Sequence, residues 1–166
     1  LNGQRPLPLA LVVEGEKSAA ALHSLGLLAV SAQGGANKAS AGAWDALLGV
    51  QKAVFWPDND EPGIKYCRDA AAALVALATP DSPFPELRLL HVPGAPDKGD
   101  CCDWIAERLP DWNEPGPVRR EQRAGRRAEG LALVGPAGPV PADWLKAPST
   151  NAAVSASARL FVSRGV

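Results

Sequence analysis

Leu9-Ala10-Leu11-Val12-Val13-Glu14-Gly15 is the stretch that decides the fold. An aliphatic run without polar alternation, entered through Pro6 and Pro8, predicts a short strand over Leu7 to Val13 that is buried on both faces. Glu14 then stands at the end of that strand. Two later hydrophobic runs end in the same way. Ala53-Val54-Phe55-Trp56 is followed by Asp58 and Asp60, and the run from Leu87 to Val92 is followed by Asp100 and Asp103. If these strands are parallel neighbours, the three acidic clusters meet at the carboxyl edge of the sheet, where open α/β sheets bind ligands. Carboxylates crowded together repel unless a cation sits among them. A hard divalent ion that prefers oxygen ligands, magnesium above all or manganese, is the natural occupant. The pattern therefore reads as metal-dependent phosphate chemistry.

The segments between these strands carry helical spacing. Glu16 to Leu25 predicts a helix stopped by Gly26, and Leu27 to Ala32 a second strand closed by Gln33-Gly34-Gly35. A helix is expected around Ser40 to Leu48, and a longer one over Gly63 to Ala78, with Ile64, Cys67, Ala71, Leu74, Val75 and Ala78 along one face. Glu86 to Val92 is the fourth strand, and Cys102 to Arg108 the last helix. Strands alternating with helices imply a mainly parallel sheet of about four strands flanked by helices on both faces.

Composition changes near Pro110. Residues 1–110 hold nine Lys/Arg against thirteen Asp/Glu, whereas residues 111–166 hold eight against five. The acidic excess thus belongs to the α/β domain and the basic excess to the C-terminal segment. Pro/Gly breakers and five arginines between Val118 and Glu129 suggest a flexible C-terminal linker or tail over 111–166, with one short helix near Arg119 to Ala132. The arginines could meet nucleic-acid backbone or simply solvate the linker. Cys67, Cys101 and Cys102 make no disulfide framework and no zinc pair, which suits a reducing cytoplasm. No stretch approaches the roughly 20 apolar residues that cross a bilayer. The chain opens on Leu1 and contains no Met, so we expect a piece of a longer reading frame.

Each acidic residue also has a plain structural role open to it. Asp60, ahead of a helical run, is a natural N-cap, and Glu14 could cap the helix after it. Clustered aspartates also serve haloacid-dehalogenase-like phosphatases and receiver domains. The first of these would place a nucleophilic aspartate at the first strand, where this chain has none. Lys38, after Gly34-Gly35-Ala36-Asn37, could contact phosphate, but the loop is not a Walker P-loop. Lys98 could face phosphate or balance Asp97 and Asp100. Trp104 reads as a core residue, and His23 and His91 read as structural.

Val12-Val13-Glu14-Gly15-Glu16-Lys17-Ser18-Ala19, Asp58-Asn59-Asp60-Glu61-Pro62-Gly63 and Lys98-Gly99-Asp100-Cys101-Cys102-Asp103-Trp104 together resemble the Toprim domain. That fold is shared by bacterial primases, topoisomerases and some nucleases. The resemblance covers about Leu9 to Leu109 and is closest to phage and plasmid primases or primase-helicases. It implies a catalytic domain over residues 1–110 with a Toprim-like, Rossmann-like fold. It also implies Glu14 as general acid/base or metal ligand, Asp58 and Asp60 as metal ligands, and Asp100 and Asp103 completing the acidic surface. Many primase members carry another carboxylate four residues after the glutamate. Ser18 stands there in this chain, which leaves the number of metal sites open.

The implied function is nucleotidyl transfer in primer synthesis. Its partners would be a DNA template and nucleoside triphosphates, with a helicase or zinc-ribbon module fused or associated. Phosphodiester hydrolysis, as in Toprim nucleases, keeps the same site, and a non-catalytic DNA-associated module keeps only the fold. No tyrosine-bearing cleavage domain is visible for a topoisomerase.

Overall fold

In the computed structural model the described residues are 9–34, 38–92, 94–110 and 137–146, together with 125, 132 and 160–161. Four parallel strands form the centre of the sheet: β1 (Ala10–Val12), β2 (Ala29–Ala32), β3 (Lys52–Phe55) and β4 (Glu86–Leu89). β1 lies between β2 and β3, and β4 lies outside β3. Helices α1 (Glu16–Ser24), α2 (Glu61–Leu77) and α3 (Cys101–Arg108) fill the connections expected for them. The fold is α/β, as the alternation of patterns predicted.

Successive strand residues serve opposite faces, because the strand repeat is two. Leu11, Val13, Val54 and Trp56 face α1 and α3, where Leu22, Leu25, Trp104 and Ile105 meet them. Ala10, Val12, Ala53 and Phe55 face the other way, against Tyr66, Ala70, Ala71 and Leu74 of α2. β1 is fully buried along its length. A strand with apolar neighbours above and below has no polar face to alternate, which explains the continuous run in the sequence. Gly26 closes α1 at φ 77°, in the left-handed region that favours glycine, and Leu27 N–H reaches back to the Leu22 carbonyl at 3.1 Å.

The helix expected over Ser40 to Leu48 is instead two short 3₁₀ turns, Ala39–Ala41 and Trp44–Gly49. The Trp44 indole folds back and its Nε1 donates to the Ala39 carbonyl at 2.7 Å, occupying an acceptor that a continuous helix would use. A Cβ at Gly42 would lie 2.5 Å from that ring, so the chain passes the indole only as glycine.

Two short strands flank the predicted four. β5 (Gly138–Pro139) pairs antiparallel with β4, and β6 (Leu160–Phe161) pairs antiparallel with β2. Both come from the segment that composition marks as tail, so the sheet has six strands rather than about four. The 3₁₀ turn Ala142–Leu145 returns to the α2 face, where buried Trp144 meets the Phe55 ring edge-on at 6.5 Å. Two-residue edge strands show no period for a sequence pattern to reveal. The arginine run and the helix expected near it lie outside the described residues, apart from Gly125 and Ala132. Among the described residues no helix is long and apolar enough to cross a membrane.

If Trp144 anchors residues 137–146 to the core, its removal opens a cavity against Phe55. Trp144→Ala should lower the free energy of unfolding by about 3 kcal/mol, read from urea denaturation.

Candidate functional site

The strand order creates a topological switch point between β1 and β3. β1 leads through α1 to β2 on one side, whereas β3 leads through α2 to β4 on the other, and the two helices cover opposite faces. The connections diverge there and leave a crevice at the carboxyl ends, the general ligand position of open α/β sheets. β1 and β3 are paired with Val12 opposite Phe55. Glu14 follows two residues beyond Val12, and Asp58 three residues beyond Phe55. Both therefore emerge at the crevice.

Asp58 is half-buried, and its carboxyl is pushed up to about 7. Burial is the largest cause, followed by the charges of Glu14, Asp100, Asp60 and Asp103. The other four predicted carboxylates are thus each close enough to act on Asp58. Glu14 is also raised above the usual carboxylate range, first by burial and then by Asp60.

The five differ in what already occupies them. Asp60 caps α2, its Oδ1 accepting from Gly63 N–H at 2.7 Å. Asp100 caps α3, its Oδ1 accepting from Cys102 and Asp103 N–H at 2.7 and 3.0 Å. Asp103 Oδ2 completes this capping box by accepting from Asp100 N–H at 3.1 Å. The remaining oxygen of Asp100 receives Lys17 Nζ at 3.3 Å, and this pairing holds the Lys17 ammonium above its usual range. Glu14 and Asp58, by contrast, have no hydrogen-bond or ion-pair partner among the described residues.

This donor set decides what kind of ion fits. Among the described residues no three His, Cys, Asp or Glu side chains are grouped to hold a metal by themselves. An all-protein cage is therefore not what these residues build. Magnesium is commonly held by one or two carboxylates, with water and substrate phosphates filling the other positions. Glu14 and Asp58 fit that arrangement, and a cation beside them would relieve the repulsion that raises Asp58.

Gly63 keeps the first turn of α2 tight against this edge. A Cβ there would lie 2.7 Å from the Asp58 amide nitrogen and carbonyl oxygen. Beside Asp58 opens a cleft lined in part by Trp56, Ile64, Leu90, Val92 and Trp104. Trp104 is buried against Trp56 at 5.7 Å, with the Arg108 guanidinium 4.0 Å from its ring centre. His23 accepts from Ala29 N–H at 3.2 Å, away from the crevice, while His91 lies on the cleft wall.

Lys98 sits at φ 57° in the loop facing Asp58, with Lys98 N–H bonded to the Asn59 carbonyl. Lys38 is exposed beyond β2, and residues 35–37 before it lie outside the described residues. Sequence reading passed over Lys17 and Asn59. Their only signal was position, one inside the first acidic motif and the other between the two aspartates.

No family model matches the chain, and no curated protein matches it. Two solved structures share its general course. One is the bacteriophage T7 lagging-strand DNA polymerase interacting with primase domains of two gp4 subunits bound to an RNA/DNA hybrid and dTTP. There the identity is 19%, the TM-score 0.47, and the match covers 82% of this chain and 58% of that one. The other is a DNA primase domain from Pseudomonas aeruginosa, at 16% identity and a TM-score of 0.41, covering 80% of this chain and 52% of that one. The chain thus spans little more than half the length of either. Likeness at this level concerns the path of the backbone and assigns no residue a role.

The raised carboxyl of Asp58 makes stability depend on pH. The folded state holds its proton more tightly than the unfolded state, whose aspartate titrates near 3.8. Ionised Asp58 therefore opposes folding increasingly as pH rises from about 4 to about 7, and constantly above that. In metal-free buffer Asp58→Asn should stabilise the protein at pH 8 by about 1–2 kcal/mol, a value reduced for solvent screening. The gain should vanish at pH 4. Denaturant midpoints of both forms across this range provide the check.

Proposed function

We propose that this chain is the Toprim-type core of a nucleotidyl transferase that makes primers in DNA replication, as in phage and plasmid primases or primase-helicases. The observation that carries the reading is the pair of carboxylates, Glu14 and Asp58, that have no partner among the described residues and stand at the switch point between β1 and β3. The order of acidic motifs along the chain supports it. Asp58 would hold magnesium or manganese, with the free oxygen of Asp60 beside it. Bound there, the ion would neutralise triphosphate and stabilise charge at the reacting phosphorus.

The chain's own residues supply the rest. Burial and the Asp60 charge raise Glu14 toward neutrality, which makes it a better proton acceptor than an ordinary surface glutamate. It would take the proton of the primer 3′ hydroxyl. Asp100 and Asp103 hold the start of α3 at the crevice rim, and Lys17 tempers their charge. Lys98 and Lys38 are exposed cations at the same edge, suited to phosphate oxygens. A DNA template and nucleoside triphosphates would be the partners, and a helicase and zinc-ribbon module of the parent protein would hold the template. The three described cysteines are free and buried, as a reducing cytoplasm would keep them.

Titration of magnesium and manganese by calorimetry tests the site. The wild type should bind, and Asp58→Asn should weaken binding at least about 10-fold. With template and nucleoside triphosphates, Glu14→Gln should lower incorporation by about 10²–10⁴-fold. Cleavage of a preformed strand in place of incorporation would assign the nuclease reaction instead. A folded wild type that binds neither metal, with or without nucleoside triphosphate, would leave only the non-catalytic module.

A further inference from the structure

The acidic residues of the site stand on two separate loops. Asp58 and Asp60 belong to the turn between β3 and α2, and Asp100 and Asp103 to the end of the long connection from β4 to α3. Like charges on both loops push them apart, so something must hold the loops at their present spacing. Among the described residues, one residue takes part in every hydrogen bond between these two loops.

Asn59 donates both side-chain N–H groups across the gap, to the Ala95 carbonyl at 3.0 Å and the Pro96 carbonyl at 2.9 Å. Its backbone adds two more bonds, Asn59 N–H to the Gly99 carbonyl at 2.9 Å and Lys98 N–H to the Asn59 carbonyl at 3.1 Å. The loop on the far side is wound to receive them. Gly99 N–H closes onto the Pro96 carbonyl at 2.9 Å, and a Cβ at Gly99 would lie 2.5 Å from the Pro96 ring. Lys98 adopts φ 57°, a conformation that a lysine seldom takes unless its surroundings hold it there. The bonds of its neighbours to Asn59 are those surroundings.

We infer that Asn59 is a positioning residue whose amide clamps the 95–99 loop onto the Asp58–Asp60 turn, fixing how closely Asp100 and Asp103 approach Asp58. The residue type follows from the geometry. Two successive carbonyls require two donors on one short planar group, which asparagine supplies. Aspartate has nearly the same shape but only accepts, so it would set a carboxylate against two carbonyl oxygens. The clamp matters to function because a divalent ion responds to the combined charge of both loops. That consequence rests on the metal reading proposed above, whereas the clamp itself does not.

Asn59→Ala and Asn59→Asp in the full chain separate these points, with amide hydrogen exchange and magnesium calorimetry as the readouts. Both variants should speed exchange at the Lys98 amide and at the amide of position 59 by about 10-fold or more, with the amides of β1 and β3 unchanged. Both should weaken magnesium binding by about 10- to 100-fold, the range found when groups supporting a metal's ligands are removed. Asn59→Asp is the sharper case. It adds a negative charge, which alone would strengthen cation binding, so weakened binding by this variant reports lost position. Trp144→Ala, destabilised on the α2 face, should keep wild-type magnesium affinity at a temperature where it is folded.

Unchanged exchange in both variants would overturn the clamp. Loosened loops with unchanged or stronger magnesium binding would overturn the positioning role. A wild type that binds no magnesium would overturn the metal reading and the role that depends on it, while exchange would still decide the clamp.

Discussion

The parallel pairing of β1 with β3 is the constraint on which the rest of this structure depends. It places two strands with opposite onward connections side by side, so that α1 and α2 depart to opposite faces and leave the carboxyl edge uncovered between them. Both strands are buried above and below, which makes the pairing costly to shift. A slip of one residue would exchange Leu11 and Val13 with Ala10 and Val12 between two differently filled layers. The position of Glu14 relative to Asp58 is thereby set by hydrophobic packing several residues away from either.

Charge then organises the part that packing leaves open. Five carboxylates at one edge would oppose folding if all stood free. Asp60 and Asp100 are absorbed as helix caps, Asp103 as the return half of a capping box, and Lys17 sits against Asp100. Backbone N–H groups at helix starts carry partial positive charge, so these caps stabilise the carboxylates as well as the helices. A helix cap therefore does not use up an acidic residue here. Asp60 caps α2 through one oxygen and presents the other. Among the described residues the uncompensated charge is concentrated in Glu14 and Asp58, and the elevated proton affinity of Asp58 records its burial first and this repulsion second.

The fold was largely legible in the sequence because its signals are local and strong. Apolar runs marked β1 and β3, Gly26 marked the end of α1, and the spacing of Cys67, Ala71 and Leu74 marked the buried face of α2. The failures have equally local causes. The segment from Ser40 to Leu48 looked helical because propensity does not register an indole returning to its own backbone, as Trp44 does to Ala39. The edge strands Gly138–Pro139 and Leu160–Phe161 are two residues long, and glycine and proline are poor advertisements for a strand.

For the site, the sequence by itself determined which carboxylates stand at strand ends, because a hydrophobic run fixes where a buried strand must stop. It also carried the expectation of a hard cation, since oxygen donors favour such ions. Only the tertiary structure decided that β1 and β3 are neighbours, and hence that Glu14 and Asp58 share a crevice. It alone divided the acidic residues into three engaged by caps and two without a partner among the described residues, because hydrogen-bond partners from other elements are invisible in a linear spacing. The same holds for Asn59. Its place between two aspartates is plain in the chain, but the carbonyls it grips arrive from a loop some 36 residues further on, and no local pattern announces that meeting.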